Sequence, residues 1–353
     1  MYQAGGSIKK LLERVERNEY ILPAIQREFV WKPEQICQLF DSLMQGYPIG
    51  TFLFWEIKPE NIDSYQFYDF MQNYHERDAY ECAKFSGAIT NTKVIAVLDG
   101  QQRITALNIG LRGSYAWKAF GKRSSNNSAF SNRQLFINLL GVKNEETGEK
   151  YDFRFLTNEK SDEQSESVQW FRVGRTLEQS EFDANMDEDE AFGELSSEKR
   201  RKAKHTMHTL YKAMENESTL SYYEETDQSL EKVLNIFIRM NSGGTPLSYS
   251  DLLLSVATAQ WKNLSARDVI GDLVKEMNQQ GSGFNFSKDL VLKGGLMLSD
   301  IGAVGFKVEN FNKENMLRLE GNWSNIKDSL LLASRLLAGR SKIASASVLS
   351  PID

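Results

Sequence analysis

Cysteine, histidine and proline are scarce in this chain. Only two cysteines, Cys37 and Cys82, and three histidines occur among its 353 residues. Structural zinc sites need about four such ligands, and secreted domains use cysteine pairs as cross-links. The composition therefore argues against a soft-metal centre and against a disulfide framework, and it favours two reduced thiols in a cytoplasmic protein.

Long apolar runs and an excess of positive charge are also missing. The N-terminal segment MYQAGGSIKKLLERVERNEY lacks the apolar stretch of a secretory signal, and no run is long enough to cross a bilayer. The net charge is −6 and the sequence pI is about 5.4. An acidic chain is not a generic nucleic-acid coat, although a local basic face could still bind phosphate. We expect a cytoplasmic location and no membrane partner.

The hydrophobic pattern changes along the chain. In the front half, apolar runs such as YILP, TFLFWEI, KVIAVL and QLFINLL alternate with segments of helical spacing. A strongly acidic segment over 178–198 follows, and helical spacing dominates after it. We predict an α+β fold, with an α/β domain over 1–177 and a mostly α-helical domain over 178–353. The final ASASVLSPID has no helix stop, so we also expect the chain to continue into a further domain.

The stretch VLDGQQR (97–103) has the strongest chemical pattern. An apolar strand ends at Asp99 and Gly100, and a helix with Gln101, Gln102 and Arg103 in its first turn follows. The free N–H groups at a helix start attract anions, and an arginine adds a planar fork for phosphate. Asp99 is a candidate catalytic carboxylate that could bind Mg²⁺ or orient a water molecule, and Arg103 is the second candidate catalytic residue. In the alternative, Asp99 only caps the helix and Arg103 pairs with a surface acid.

Two further stretches supply candidate nucleotide ligands. In PAIQREFVW (23–31), Gln26 and Arg27 stand between a strand and a helix. In NIFIRMNSGGTPLSYSDLLLS (235–255), Arg239, Asn241 and Ser242 lead into a Gly-Gly loop. The alternatives are a surface arginine beside a packed tryptophan in the first stretch and a tight helix–loop–helix corner in the second. Neither stretch has the spacing of a P-loop or of a Rossmann turn.

Taken together, the three motifs resemble one family. The sequences PAIQREFVW at 23–31, VLDGQQRITAL at 97–107 and FIRMNSGGTPLSYSDLLLS at 237–255 are similar to the N-terminal domain of GmrSD-type, modification-dependent (type IV) restriction enzymes. The resemblance covers about residues 7–260. It implies a ParB/sulfiredoxin-like α/β fold and nucleotide binding and hydrolysis centred on the DGQQR motif. The motif correspondence places Gln26, Arg27, Gly100, Gln101, Gln102, Arg239, Asn241 and Ser242 among the nucleotide contacts.

The resemblance also implies partners. In such systems, nucleoside triphosphate hydrolysis with Mg²⁺ regulates a DNA-cleaving HNH-type nuclease domain or subunit, and the target is modified phage DNA. No nuclease motif is visible in these 353 residues. We therefore expect a regulatory NTPase, with a homodimer as one assembly to consider. Two alternatives stay open, namely a non-catalytic sensor that binds modified DNA and an assembly scaffold for a nuclease partner.

Overall fold

Strands and helices alternate up to residue 227, and the elements described beyond it are all helices. The computed structural model describes residues 2–23, 29–62, 67–80, 82–85, 93–122, 126–142, 148–184, 192, 195–241, 260–280, 284–301, 310 and 313–340. The chain divides into two compact units, one formed by Met1–Leu22, Glu28–Pro59 and Phe67–Asp227, the other by Pro23–Arg27, Glu60–Gln66 and Gln228–Asp353.

Within the described residues, the strands are β1 (Tyr2–Ala4), β2 (Tyr20–Pro23), β3 (Thr51–Ile57), β4 (Phe67–Tyr68), β5 (Asn73–His75), β6 (Val94–Asp99), β7 (Ser114–Lys118), β8 (Phe130–Asn138), β9 (Asp152–Leu156), β10 (Trp170–Arg172) and β11 (Ser221–Glu225). The helices are α1 (Ile8–Glu16), α2 (Pro33–Met44), α3 (Pro59–Ile62), α4 (Gln101–Arg112), α5 (Asn158–Ser161), α6 (Arg175–Glu178), α7 (Ser197–Glu215), α8 (Leu230–Asn241), α9 (Ala266–Asn278), α10 (Lys288–Leu298), α11 (Lys313–Gly321) and α12 (Trp323–Arg340). These elements confirm the predicted α+β class, whereas the ParB/sulfiredoxin-like detail stays a prediction.

The first unit contains two sheets. The six-stranded sheet has the order β1-β11-β3-β6-β2-β4, in which β3 runs antiparallel to β6 while β2 and β11 are parallel to their neighbours β6 and β3. The second sheet has the order β10-β8-β7-β5, with β9 also paired to β8. The pairings of β8 with β9 and β10 are antiparallel, as the short connections between these strands predict.

Helix α4 lies in the centre of the first unit. Almost every residue from Ile104 to Leu111 is buried, and the helix packs against α1 and α2. A Cβ at Gly110 would lie 2.6 Å from Cε2 of Phe40 on α2, so glycine permits the close approach of the two helices. These contacts hold α4 in a fixed position immediately after the end of β6 in the chain.

The first unit extends past the predicted domain boundary at residue 178. Helix α7 packs against α1 and α2, and β11 is inserted between β1 and β3. The sequence in this region does not predict a strand, because SYYEE has neither clean alternation nor a continuous apolar run. Both edges of β11 are nevertheless paired, and this pairing makes it part of the sheet.

The second unit is built from helices in its described part. Helices α9, α10 and α12 pack against one another, and α11 packs against α12. The rings of Trp261 and Trp323 meet edge to face with centroids 5.4 Å apart. The carboxylate of Glu320 at the end of α11 accepts hydrogen bonds from the backbone N–H groups of 262–264.

Candidate functional site: the turn between β6 and α4

The backbone turns sharply where β6 meets α4. Strand β6 ends at Asp99, and Gly100 adopts the left-handed conformation with φ 90° and ψ 7° before the helix begins at Gln101. A Cβ at Gly100 would lie 2.2 Å from Cδ1 of Phe52, so both the φ angle and the available space require glycine. The N–H groups of the first helical turn have no acceptor within the helix, and they create a partial positive charge beside Asp99.

Arg103 reaches back from the first turn of α4 to Asp99. Its Nη2 lies 3.2 Å from Oδ2 of Asp99, the last residue of β6. The Asp99 side chain is 34% exposed, whereas that of Arg103 is 17% exposed. The acid is therefore the accessible member of the pair, and the arginine supports it from inside the protein.

The same guanidinium group holds the backbone that leads into β3. Nη1 donates to the carbonyl of Ile49 at 2.6 Å, and Nη2 donates to the carbonyl of Thr51 at 2.9 Å. The guanidinium carbon stands 4.5 Å from the centre of the Phe52 ring, in cation–π contact. Burial lowers the pKa of Arg103 and the Asp99 charge partly opposes that shift, but an arginine stays protonated at neutral pH.

Gly50 completes this arrangement from the other side. It has a φ of 86°, and a Cβ there would lie 2.6 Å from Nη1 of Arg103. The motif at 97–103 thus contacts the segment 49–51, which lies outside the three motifs. The available signal was the turn sequence YPIG with its glycine immediately before the apolar strand TFLFWEI.

The two glutamines of the motif differ in their surroundings. Gln101 is 8% exposed, and its Nε2 donates to the carbonyl of Val97 at 2.7 Å. Gln102 accepts a hydrogen bond from the backbone N–H of Val30 at 3.0 Å, so the DGQQR motif touches the end of the first motif, PAIQREFVW. The Gln101 amide therefore stabilises the turn from within, while Gln102 connects two of the three motifs.

The other predicted nucleotide ligands do not lie in the described part of the first unit. Gln26, Arg27 and Ser242 lie outside the described residues. Arg239 is exposed on α8 in the second unit, and Asn241 is the last residue of that helix. The grouping of these residues with Asp99 stays a prediction.

Asp99 would bring a single carboxylate to a metal ion. Among the described residues, no group of three or more histidine, cysteine, aspartate or glutamate side chains could hold a metal. Mg²⁺ commonly binds proteins through one or two carboxylates and takes its other ligands from water and substrate phosphates. One accessible carboxylate beside a helix N-terminus fits a Mg²⁺ ion that arrives with a nucleotide.

Among the described residues, no helix is both long enough and apolar enough to span a bilayer.

Comparison with known sequences places the chain in a family. The sequence pattern of the family described as "GmrSD restriction endonuclease, N-terminal domain" matches residues 8–257, which include all three motifs. The chain belongs to this family of restriction-endonuclease N-terminal domains. An uncharacterised protein of Methanocaldococcus jannaschii is 42% identical over 103 residues, which cover 28% of this chain and 16% of that protein.

Proposed function

We propose that this chain is the nucleotide-binding and nucleotide-hydrolysing regulatory module of a modification-dependent restriction system. The observation that carries the proposal is the accessible carboxylate of Asp99 beside the N-terminus of α4. Gly100, in the left-handed conformation, connects Asp99 to this helix. Membership in the GmrSD N-terminal family supports the same reading, since it assigns the chain to a restriction system.

In the proposed reaction, the chain mainly positions groups and neutralises charge. The N–H groups at the start of α4 receive phosphate oxygens, and Asp99 orients the attacking water. Gln26, Arg27, Arg239, Asn241 and Ser242 are the proposed further nucleotide contacts. Bound Mg²⁺ would be held by Asp99 and would neutralise phosphate charge.

We assign Arg103 a positioning role. Its guanidinium group already bonds to Asp99 and to the carbonyls of Ile49 and Thr51, so binding a phosphate directly would cost these bonds. By holding the Asp99 carboxylate and the 49–51 segment together, Arg103 fixes the acid in one orientation. Phosphoryl transfer depends strongly on such positioning.

We further propose that the hydrolytic cycle controls an HNH-type nuclease, supplied as a further domain or as a partner subunit, that cuts modified phage DNA. A homodimer is one assembly in which two such modules would act together. The family relationship supports these partners because it links the chain to a restriction endonuclease.

The central test is phosphate release by the purified chain with each of the four common NTPs and Mg²⁺. Wild type should release phosphate, and Asp99→Asn should lose activity by at least about 100-fold, the size of a typical general-base contribution. Asp162→Asn is the matched control, because Asp162 is an exposed acid outside the motif and its replacement should leave the rate unchanged.

Three outcomes would count against the proposed hydrolysis at Asp99. Equal phosphate release by wild type and Asp99→Asn would remove the acid from the reaction. No release at all, together with binding to modified DNA that weakens steeply with salt, would instead favour the non-catalytic sensor. Absence of both activities would favour the scaffold.

A further inference from the structure

The hairpin formed by β7 and β8 lies in a part of the chain that contains no acidic residue. Between positions 100 and 144 the sequence has seven lysines and arginines and no aspartate or glutamate, although acids outnumber bases in the whole chain. The two strands pair antiparallel, from Tyr115 opposite Arg133 to Lys118 opposite Phe130, and both belong to the first unit. Such segregation of charge gives an acidic protein a local positive field.

The end of this hairpin extends past the neighbouring strands. β5 pairs with β7 only up to Ala116, and β9 and β10 pair with β8 only from Gln134 onward. In the part of the chain that the structure describes, no further strand pairs with the rest of this two-stranded ribbon. We call residues 117–122 and 126–133 the hairpin tip.

The hairpin tip presents an aromatic ring between two lysines. Lys118 and Lys122 are exposed, and neither has an ion pair within the described ranges. Phe120 lies between them in the chain, and its side chain is fully exposed. Cations interleaved with an aromatic ring are typical of surfaces that bind phosphates and bases together.

Arg133 adds a cation that is held in one orientation. Its guanidinium carbon lies 3.8 Å from the centre of the Trp117 ring, and its Nη1 donates to the carbonyl of Ser131 at 2.9 Å. Both stacked side chains are partly exposed, and no described acid pairs with Arg133. Because the planar group is already ordered, a phosphate contact would cost little further side-chain entropy.

The acids beside the hairpin tip leave its charge positive. Asp78 forms an ion pair with Arg77 at 2.7 Å, and the guanidinium carbon of Arg77 lies 4.9 Å from the centre of the Phe130 ring. Glu76 accepts a hydrogen bond from the backbone N–H of Lys118 at 2.6 Å. One carboxylate therefore stands against the three cations of the hairpin tip, since the charge of Asp78 is balanced by Arg77.

We propose that the hairpin tip binds duplex DNA, with its three cations on phosphates and Phe120 against the bases in the groove between them. A two-stranded ribbon has the width to enter the major groove of DNA. A lipid surface would require a larger apolar face than one phenylalanine. The identity of the partner as DNA rests on the proposed restriction function, whereas the position of the surface rests on the charges and exposure described above.

The test measures binding of a short fluorescent DNA duplex by anisotropy over a range of salt concentrations. Lys118→Gln combined with Lys122→Gln should reduce the slope of log K against log salt concentration by about 2, since each phosphate contact contributes about 0.9. The matched control combines Lys10→Gln with Lys212→Gln, which removes two exposed lysines from α1 and α7 and should keep the wild-type slope.

A second variant tests the aromatic contact. Phe120→Ala should weaken DNA binding at least about fivefold with an unchanged salt slope, because it removes a ring and no charge. The side chain is fully exposed, so the variant should unfold at the wild-type temperature. Thermal unfolding confirms that every variant is folded before its DNA binding is measured.

Four results would each overturn the proposal. These are no saturable DNA binding, equal slopes for the two double variants, unchanged affinity of Phe120→Ala, and tighter binding to phosphatidylserine vesicles than to DNA. Asp99→Asn should bind DNA as wild type does, and the Lys118→Gln, Lys122→Gln variant should keep the wild-type rate of phosphate release without DNA. Failure of the DNA surface and failure of nucleotide hydrolysis are therefore distinguishable.

Discussion

Gly100 is the residue that determines the geometry of the candidate site. Its left-handed backbone lets the chain leave β6 and enter α4 within one residue, and its missing side chain leaves room for the Phe52 ring. Asp99 is brought to the surface by the same turn, while Arg103 is drawn inward to three acceptors. In this motif of four polar residues and one glycine, Asp99 is therefore the accessible acid, and Arg103 supports it from the interior.

Gly100→Ala should destabilise the first unit by about 2–4 kcal/mol. The left-handed conformation costs a residue with a Cβ about 1–2 kcal/mol, and displacement of Phe52 adds an overpacking cost. Urea denaturation followed by tryptophan fluorescence measures the change. Gly46→Ala is the matched control, since Gly46 also has a positive φ, 75°, but a Cβ there meets nothing within 4 Å. We expect about 1 kcal/mol for the control, and equal losses in both variants would contradict the contact with Phe52.

At the scale of elements, carboxylates join helices to distant loops. Asp41 on α2 is 4% exposed and accepts from the backbone N–H groups of Lys150 at 3.0 Å and Tyr151 at 2.8 Å. These residues lead into β9, which also packs against α2. One buried acid thus fixes the start of a strand that is more than a hundred residues away in the chain.

Asp41→Ala should lower the free energy of unfolding by about 2–3 kcal/mol, because two backbone N–H groups lose a charged acceptor. Chemical denaturation is again the measurement. Asp162→Ala removes an exposed acid and should change stability by less than about 0.5 kcal/mol. A loss at Asp41 no larger than that of this control would show that solvent can replace the carboxylate.

Glu320 plays the corresponding role in the second unit. It is 7% exposed, and its Oε1 accepts from the backbone N–H groups of Lys262, Asn263 and Leu264 at 2.6–3.0 Å. Glu320→Ala should destabilise this unit by about 2–3 kcal/mol, since three successive backbone N–H groups lose a buried carboxylate as their acceptor. Glu314→Ala on the same helix is the control, because Glu314 is exposed and forms an (i, i+4) pair with Arg318 that is worth about 0.3–0.5 kcal/mol. Thermal melting of both variants compares them, and similar melting temperatures would contradict a structural role for Glu320.

At the scale of the whole molecule, the sheet of the first unit is completed by a late strand. β11 lies between β1 and β3, although β3 ends at Ile57 and β11 begins only at Ser221. Helix α7, which directly precedes this strand, packs on α1 and α2. The first unit is therefore incomplete without residues 178–227.

A fragment of residues 1–227 should be soluble and unfold cooperatively, whereas a fragment of 1–177 should aggregate. The shorter fragment leaves one edge of β3 and the apolar faces of α1 and α2 uncovered. Size-exclusion chromatography and circular dichroism melts distinguish the two. A monomeric 1–177 fragment with the melting temperature of the longer one would show that β11 is dispensable.

Local patterns in the sequence were sufficient for many elements. Strands β2, β3, β6 and β8 and helix α4 lie where the apolar runs and the Asp-Gly turn predict them, because those patterns depend on neighbouring residues alone. The turn from Asp99 to Gln101 was predicted for the same reason. The use of the 49–51 segment and of Val30 beside this turn was not, because these contacts join residues that are distant in the chain.

The sequence by itself determined the α+β class, the family motifs and the strand-to-helix turn that carries Asp99. Only the tertiary structure decided that Arg103 faces inward, that β11 completes the sheet and that, among the described residues, the buried Oδ1 of Asn108 has no hydrogen-bond partner. Secondary structure follows from periodicity over a few residues, whereas the partner of a buried polar group depends on which distant segments the core brings together.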